Sequence, residues 1–209
     1  MKPFVTHSGV AAPMLIDNID TDQIIPSREM KKVSKLGLGE GLFAGWRYRY
    51  DDMQKTGLRE NFVLNKPEYA ETSILLGGRN FGCGSSREHA VWALYDYGIR
   101  AIIAESFGRI FLNNCARNGL LALTLPRRQI AELHDQTASD PKSRLLTIDL
   151  EHGYVESPSG EHFHFSIAES DRELLLEGLD HIDYTLKFSV NIDTYVSKDR
   201  TERPWAHLE

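Results

Sequence analysis

The chain has 209 residues, 41% apolar and 26% charged, and its 24 basic and 30 acidic side chains leave a net charge of −6. That length supports one domain with a real core, while the acidic balance excludes a general nucleic-acid binder, which needs a surplus of Lys and Arg on one face. Two cysteines, Cys83 and Cys115, are too few for a disulfide framework or an iron–sulfur cluster, so no metal or cluster is expected on this chain.

The N-terminus, MKPFVTHSGV, has no apolar run able to act as a signal peptide, and nowhere do ~18 apolar residues follow one another to span a membrane. A cytoplasmic, reducing setting is expected. Residues Phe4–Ile16 alternate weakly and read as one or two short strands. Asp17–Pro26 brings three aspartates within six residues, Asp17, Asp20 and Asp22, without the glycine and downstream glutamate of a calcium loop. It reads as an Asx-rich turn leading into a strand that stops at Pro26, with Asp22 the carboxylate best placed to face a site.

From Ser27 to Asp52 glycines, aromatics and basic residues dominate, too glycine-rich for a stable helix. A long loop with an apolar tip is expected, of the kind that serves as a lid or an interface arm. Phe62–Leu64 and Thr72–Leu76 are strand-like.

The most informative stretch is Glu71–Arg100, ETSILLGGRNFGCGSSREHAVWALYDYGIR. A strand enters a loop carrying Gly77, Gly78, Gly82 and Gly84, and a helix starting at Ser85–Ser86 shows Ala90, Val91, Leu94 and Tyr97 as one buried stripe ending at Gly98. Arg100–Glu105 is a continuous apolar run suited to a buried parallel strand. The three form a βαβ unit whose glycine loop lies at the carboxyl end of its first strand, where open α/β sheets bind ligands. A second helix with Phe107, Ile110, Phe111 and Cys115 on one face follows, then a strand over Leu120–Leu125 and a surface helix over Gln129–Gln136. Strands are expected over Arg144–Leu150, Tyr154–Glu156 and His162–Ile167, and a last helix over Glu169–Glu177 capped by Gly178.

The loop GGRNFGCGSSREH fits neither a Walker A loop, nor a dinucleotide fingerprint, nor a G-x-S-x-G elbow. Cys83 reads as a small buried thiol and His89 as structural. Ser85-Ser86-Arg87-Glu88 reads as a capping box, S-x-x-E. A serine at a helix start beside an arginine has its alkoxide form favoured, which would let it act as a base. The planar fork of Arg87 suits a bidentate grip on a carboxylate, the bland reading being a salt bridge to Glu88 or a nearby aspartate.

Gly82-Cys83-Gly84-Ser85-Ser86-Arg87-Glu88-His89-Ala90, together with Asn18–Pro26 and Gly41–Arg47, resembles the family of bacterial 3-isopropylmalate dehydratase small subunits within the aconitase superfamily. The resemblance runs over nearly the whole chain and weakens after about Gly178–Asp180. It implies an α/β fold of the three-layer β/β/α type, the swivelling domain of aconitase. It also implies a half-enzyme, a hydro-lyase active only in a heterodimer with a large subunit whose [4Fe-4S] cluster binds the substrate hydroxyl and a carboxylate. On that resemblance Ser85 is the catalytic base that removes the carbon-bound proton, Ser86 and Arg87 bind a substrate carboxylate, and Asp22 shares the site. A further arginine of the superfamily has two candidate matches here, Arg28 and Arg47. The arm would cover the apolar substituent of the substrate.

The expected division is one domain over residues 1–196, with 31–58 as a mobile arm, followed by a polar tail over 197–209 that is loose or draped on a partner. Rival readings are a related small subunit acting on citramalate or dimethylmaleate, and a non-catalytic anion- or RNA-binding module of the same fold, the latter disfavoured by the missing basic stripe.

Overall fold

The computed structural model describes residues 1–30, 34–52 and 54–207. It is built around strand β1 (Thr6–Met14), which serves two half-sheets in succession. Its first half, Thr6–Gly9, pairs antiparallel with β7 (Leu146–Asp149), and its second half, Val10–Met14, pairs parallel with β4 (Thr72–Gly77), the register shifting between Val10 and Ala11. Pro13, which has no N–H to donate, lies in the half that pairs with β4 alone. With β5 (Ala101–Ala104), β6 (Leu121–Thr124), β8 (Tyr154–Glu156) and β9 (His162–His164), the result is one seven-stranded sheet in the order β6-β5-β4-β1-β7-β8-β9. The separate hairpin β2 (Tyr48–Asp51) and β3 (Gln54–Leu58) stands apart from it.

The parallel strands are apolar on both faces, and their period-2 alternation sorts side chains into two cores. Leu75, Ile102, Ala104 and Ala122 face α3 (His89–Tyr97) and α4 (Arg109–Arg117), packing on Val91, Leu94, Phe111 and Cys115. Ile74, Leu76, Ile103 and Leu123 face the other way, onto α5 (Arg127–Ala138), α6 (Glu169–Glu177) and the antiparallel strands, where Ile130, Leu133, Ile148, Val155, Phe163 and Leu175 are buried. Helices, parallel sheet and antiparallel strands thus form three layers, the expected β/β/α arrangement.

Several local expectations give way to tertiary structure. Asp17–Pro26 holds no strand: Asp20 caps a short helix, α1 (Thr21–Ile24), through a reciprocal box with Gln23, which satisfies the donors that a strand would have used. Phe62–Leu64 ends in a 3-10 turn at Val63–Asn65 instead of a strand. Most of the apolar part of the expected loop is covered, for Leu38, Leu42 and Phe43 are buried in the helix-side core, while Leu36 stays exposed at 74%. Phe43 stacks on Trp46, which belongs to the short helix α2 (Ala44–Arg47), and Gly39 approaches α3 so closely that a Cβ there would lie 2.8 Å from the Tyr97 nitrogen. Two of the glycines that argued against a helix, Gly39 against α3 and Gly41 against Glu29, are required by close approach. Of the expected arm, residues 31–33 and 53 lie outside the described residues, and the exposed parts are residues 34–37 and much of the β2–β3 hairpin.

Ile110 faces outward from α4, with Asn114 buried instead. The polar tail begins inside a helix, since α7 (His181–Leu186) and α8 (Ser189–Glu202) follow α6. Asp180 caps α7, and Asp199 receives Arg203 and His207 back onto α8. Among the described residues no helix is long and apolar enough to cross a membrane.

Gly82 has φ +72°, and a Cβ there would meet the Phe111 ring at 2.2 Å. Gly82→Ala therefore combines backbone strain with overpacking and is expected to cost about 3 kcal/mol. At this chain length that lowers the melting temperature by roughly 6–12 °C. Calorimetry checks it, and an unaltered melting temperature would contradict the close packing.

Candidate active site

β1 and β4 end side by side in parallel register, Met14 opposite Gly77. Their pairing continues past both strand ends into the loops. Asn18 donates its N–H to the Arg79 carbonyl (2.7 Å), Gly82 to the Ile19 carbonyl (2.7 Å) and Thr21 to the Cys83 carbonyl (2.9 Å). Side chains add to the zipper: Asp17 Oδ1 accepts from the Arg79 N–H (2.9 Å), and Asn80 Nδ2 donates to Asn18 Oδ1 (2.9 Å). Asn18 and Asn80 both adopt left-handed backbone, at φ 57° and 56°, which asparagine tolerates better than most residues. The loop after β5 joins through Phe81, whose N–H donates to the Ser106 carbonyl and whose carbonyl accepts from Gly108 (both 2.9 Å). Three strand ends thereby converge on one loop.

On this base the predicted residues Asp22, Ser85 and Arg87 come together. The Ser85 N–H donates to Thr21 Oγ1 (3.0 Å), and its own Oγ accepts from Arg87 Nε (3.0 Å) and from the Arg87 N–H (3.3 Å). Arg87 Nη2 reaches Asp22 Oδ1 at 3.1 Å. Ser86, between them, is exposed, and its carbonyl accepts from Asn114 Nδ2 (3.3 Å).

The expected capping box is absent. α3 begins at His89, and Glu88 at its N-cap position makes no side-chain cap. The Ser85 N–H that Glu88 would have capped goes to Thr21 Oγ1, the Ser85 Oγ accepts from Arg87, and Glu88 Oε2 accepts from Asn118 Nδ2 (3.3 Å), so both halves of the reciprocal box are otherwise engaged. The groups favouring negative charge on Ser85 Oγ are therefore a guanidinium and an amide N–H rather than a helix start. Cys83 is partly exposed, not buried, whereas Cys115 is wholly buried. His89 packs its ring on Trp92 at 4.8 Å and leaves Nδ1 without a partner.

Of the two further arginines, Arg47 is engaged in structure. Its Nη1 donates to the Gly39 and Leu42 carbonyls (3.2 and 3.3 Å), and its guanidinium lies over Tyr97 at 4.9 Å. Arg28 lies over Tyr50 at 4.3 Å, with its Nε 3.7 Å from Glu29 Oε1 and no hydrogen bond on that nitrogen.

The Asp22–Arg87 pair is open to solvent, with side-chain exposures of 63% and 46%. Beside it lies a notch of about 10 Å³ lined by Thr21, Ile25, Met30 and His89. A larger cavity of about 550 Å³ lies elsewhere, bounded by Lys35, Trp92, Tyr95 and Arg117, and excludes both serines. The cluster therefore lies on an open surface and not in an enclosed pocket. Such a surface can grip a carboxylate through a guanidinium fork and accept a proton on a serine oxygen. Among the described residues no group of three or more His, Cys, Asp or Glu side chains could hold a metal ion.

The Aconitase C-terminal domain family model matches residues 1–128. A 3-isopropylmalate dehydratase small subunit from Cupriavidus necator is 56% identical over 210 residues, covering 100% of both chains. The chain belongs to the 3-isopropylmalate dehydratase small-subunit family. Another relative of that name, from Rhodospirillum centenum, is 48% identical over 207 residues and covers 99% of each chain. A crystal structure of 3-isopropylmalate dehydratase (LeuD) from Methanocaldococcus jannaschii superposes with a TM-score of 0.64 at 27% identity, covering 91% of this chain and 99% of that one. The relatives carry the name of an enzyme subunit, so the family assignment favours neither the citramalate or dimethylmaleate reading nor the non-catalytic one.

Sequence reasoning passed over Thr21 as a group in its own right, although it is 4% exposed and bonds the Ser85 N–H. It also passed over Asn114, a polar residue 6% exposed in the middle of a helix. A buried asparagine on an otherwise apolar face is the signal that could have found it.

Two predictions test this local picture. Burial pushes the Cys115 thiol well above its ordinary pKa, so a thiol reagent should label Cys83 in the folded chain and reach Cys115 only in denaturant; labelling of both at one rate would contradict it. The Arg79 N–H bond, with Arg127 beside it, holds the Asp17 carboxyl below its usual range. A depressed carboxyl stabilises the fold above its unfolded pKa of ~3.9 and loses that contribution as pH falls through the folded value. The stability advantage of the native chain over Asp17→Asn should therefore be present at pH 7 and vanish in acid, as denaturant melts across pH will show.

Proposed function

We propose that this chain is the small subunit of a 3-isopropylmalate dehydratase, interconverting 2-isopropylmalate and 3-isopropylmalate through 2-isopropylmaleate within leucine biosynthesis in the cytoplasm. The observation that carries the reading is the Ser85–Arg87–Asp22 cluster, linked at 3.0 and 3.1 Å on an uncovered face, in a chain of this family. In the proposed reaction Ser85 Oγ takes the carbon-bound proton, with Arg87 Nε and the Arg87 N–H favouring its deprotonated form. Arg87 exchanges Asp22 for a substrate carboxylate, which its planar fork binds bidentately. Ser86 adds its hydroxyl to that grip, and Asp22 keeps the guanidinium oriented until substrate arrives. Loss of the proton and of the neighbouring hydroxyl gives the alkene, and readdition of water in the opposite sense gives the isomer.

The open face supports a heterodimer, with the opposite wall on a large subunit. The [4Fe-4S] cluster of the enzyme is assigned to that partner, since Cys83 and a fully buried Cys115 do not suit a cluster on this chain. On the same reading residues 1–196 act as one swivelling unit, and the exposed parts of the 31–58 arm, residues 34–37 and the β2–β3 hairpin, cover the apolar substituent.

The purified chain is expected to be inactive alone and to form alkene only when mixed anaerobically with its large subunit; turnover by the single chain would refute the reading. In the reconstituted pair Ser85→Ala should lower kcat by about 10²–10⁴-fold without weakening subunit association. Arg87→Lys should chiefly raise KM, by roughly tenfold or more, from loss of the bidentate contact.

A further inference from the structure

The Ser85–Glu88 segment lies between the glycine loop and the first turn of α3 without regular secondary structure of its own. Two asparagines of α4 and its C-cap hold it from below. Asn114 Nδ2 donates to the Ser86 carbonyl at 3.3 Å. The Asn118 side chain makes four bonds: Nδ2 donates to Glu88 Oε2 (3.3 Å) and to the Asn114 carbonyl (2.9 Å), while Oδ1 accepts from Trp92 Nε1 (2.9 Å) and Lys35 Nζ (3.4 Å).

The chemistry of these partners fixes which way the Asn118 amide points. An indole N–H and an ammonium can only donate, whereas a carboxylate and a backbone carbonyl here only accept. The amide oxygen must face Trp92 and Lys35, and the amide nitrogen must face Glu88. The Asn118 side chain thereby links α3 and α4 across the foot of the segment, while Asn114 fixes its middle and Thr21 its start.

We infer that Asn114 and Asn118 are positioning residues for the dehydration, setting the backbone from Ser85 to Glu88 so that Ser85 Oγ and the Arg87 fork present one geometry to substrate. The inference rests on the Ser85–Arg87 site proposed above. A misplacement of about 1 Å in such groups costs on the order of 10²-fold in rate, and a segment lacking its own ladder of backbone bonds depends on these anchors for that placement.

The isosteric variants Asn114→Asp and Asn118→Asp each replace an amide N–H donor with an oxygen facing an acceptor, and at position 118 the acceptor for Trp92 is kept. In the complex reconstituted with saturating large subunit, each is expected to lower kcat/KM per assembled site by about 10- to 100-fold with native subunit association, Asn118→Asp melting close to the native chain and the buried Asn114→Asp melting several degrees lower. Glu88→Gln alone should stay near native activity, because its amide oxygen still accepts from Asn118. Combined with Asn118→Asp it supplies a donor to the new carboxylate and should restore several-fold of the lost rate. Full activity in both asparagine variants overturns the inference. So does a loss matched by unfolding, with normal kcat per assembled site, which is the mark of a merely structural role. Failure of Glu88→Gln to improve Asn118→Asp also counts against it. Should the buried Asn114→Asp variant not fold, the Asn118 and Glu88 pair carries the test. Ser85→Ala in parallel separates the two readings: if it is inactive while the asparagine variants are normal, the positioning role alone fails, and if it is fully active, the site fails and the inference with it.

Discussion

Parallel register between β1 and β4 is the constraint from which the candidate site follows. Two parallel strands that stop at the same level send their chains out side by side, and here the backbones stay bonded beyond the strand ends, from Asn18 and Arg79 to Thr21 and Cys83. Loops normally lose such order because they leave the ladder that fixes their backbone groups. These two become each other's ladder, so Asp22 on one and Arg87 on the other meet across 65 positions of sequence. The same strand, β1, also turns the sheet over to its antiparallel half. One element therefore sets both the three-layer form and the pairing of the site's two loops.

The bonds at the surface and those beneath it differ in strength in a way that suits binding. The Asp22–Arg87 pair is exposed on both sides, and pairs of that kind contribute about 0–1 kcal/mol. It orients the guanidinium at little cost and can be given up for another carboxylate. Thr21 and Asn114 below it are almost fully buried and bonded to the backbone on either side of the Ser85 hydroxyl. Breaking those bonds leaves buried polar groups unsatisfied, at about 1–3 kcal/mol each. Exchange is thus easy at the outer layer and resisted at the inner one.

Most of the sheet and its helices were legible because they rest on period. The buried runs of β4 and β5, the stripe of α3 ending at Gly98 and the Glu169–Glu177 helix ending at Gly178 follow from side-chain spacing and end signals alone. What was not legible depended on partners distant in sequence. The Ser85-x-x-Glu88 pattern specifies a capping box until Thr21 and Asn118 take its two ends. The glycine-rich run to Phe43 reads as a loop until Tyr97 offers the surface that only glycine can approach. At the site the residue types, their motif and the company of Asp22 were expected from the sequence and its resemblance, but the layer beneath them, Thr21 and the two asparagines, was a product of the fold.

An open wall makes demands that an enclosed pocket does not. In contact with water a guanidinium and a serine oxygen interact weakly with anything they touch, and the same groups become several-fold stronger once water is excluded. On the proposed reading that exclusion comes from a second polypeptide, so the groups on this one must keep their geometry while still uncovered. Solvent offers no help, because it competes for every donor at the surface. The placement has to come from below, through backbone bonds between the loops and side-chain amides rising from α4. The zipper between residues 17–22 and 79–85, and the asparagines under residues 86–88, do this independently of whatever closes over the face. A half-site can then meet its partner already formed, with the ordering cost met during folding instead of at each turnover.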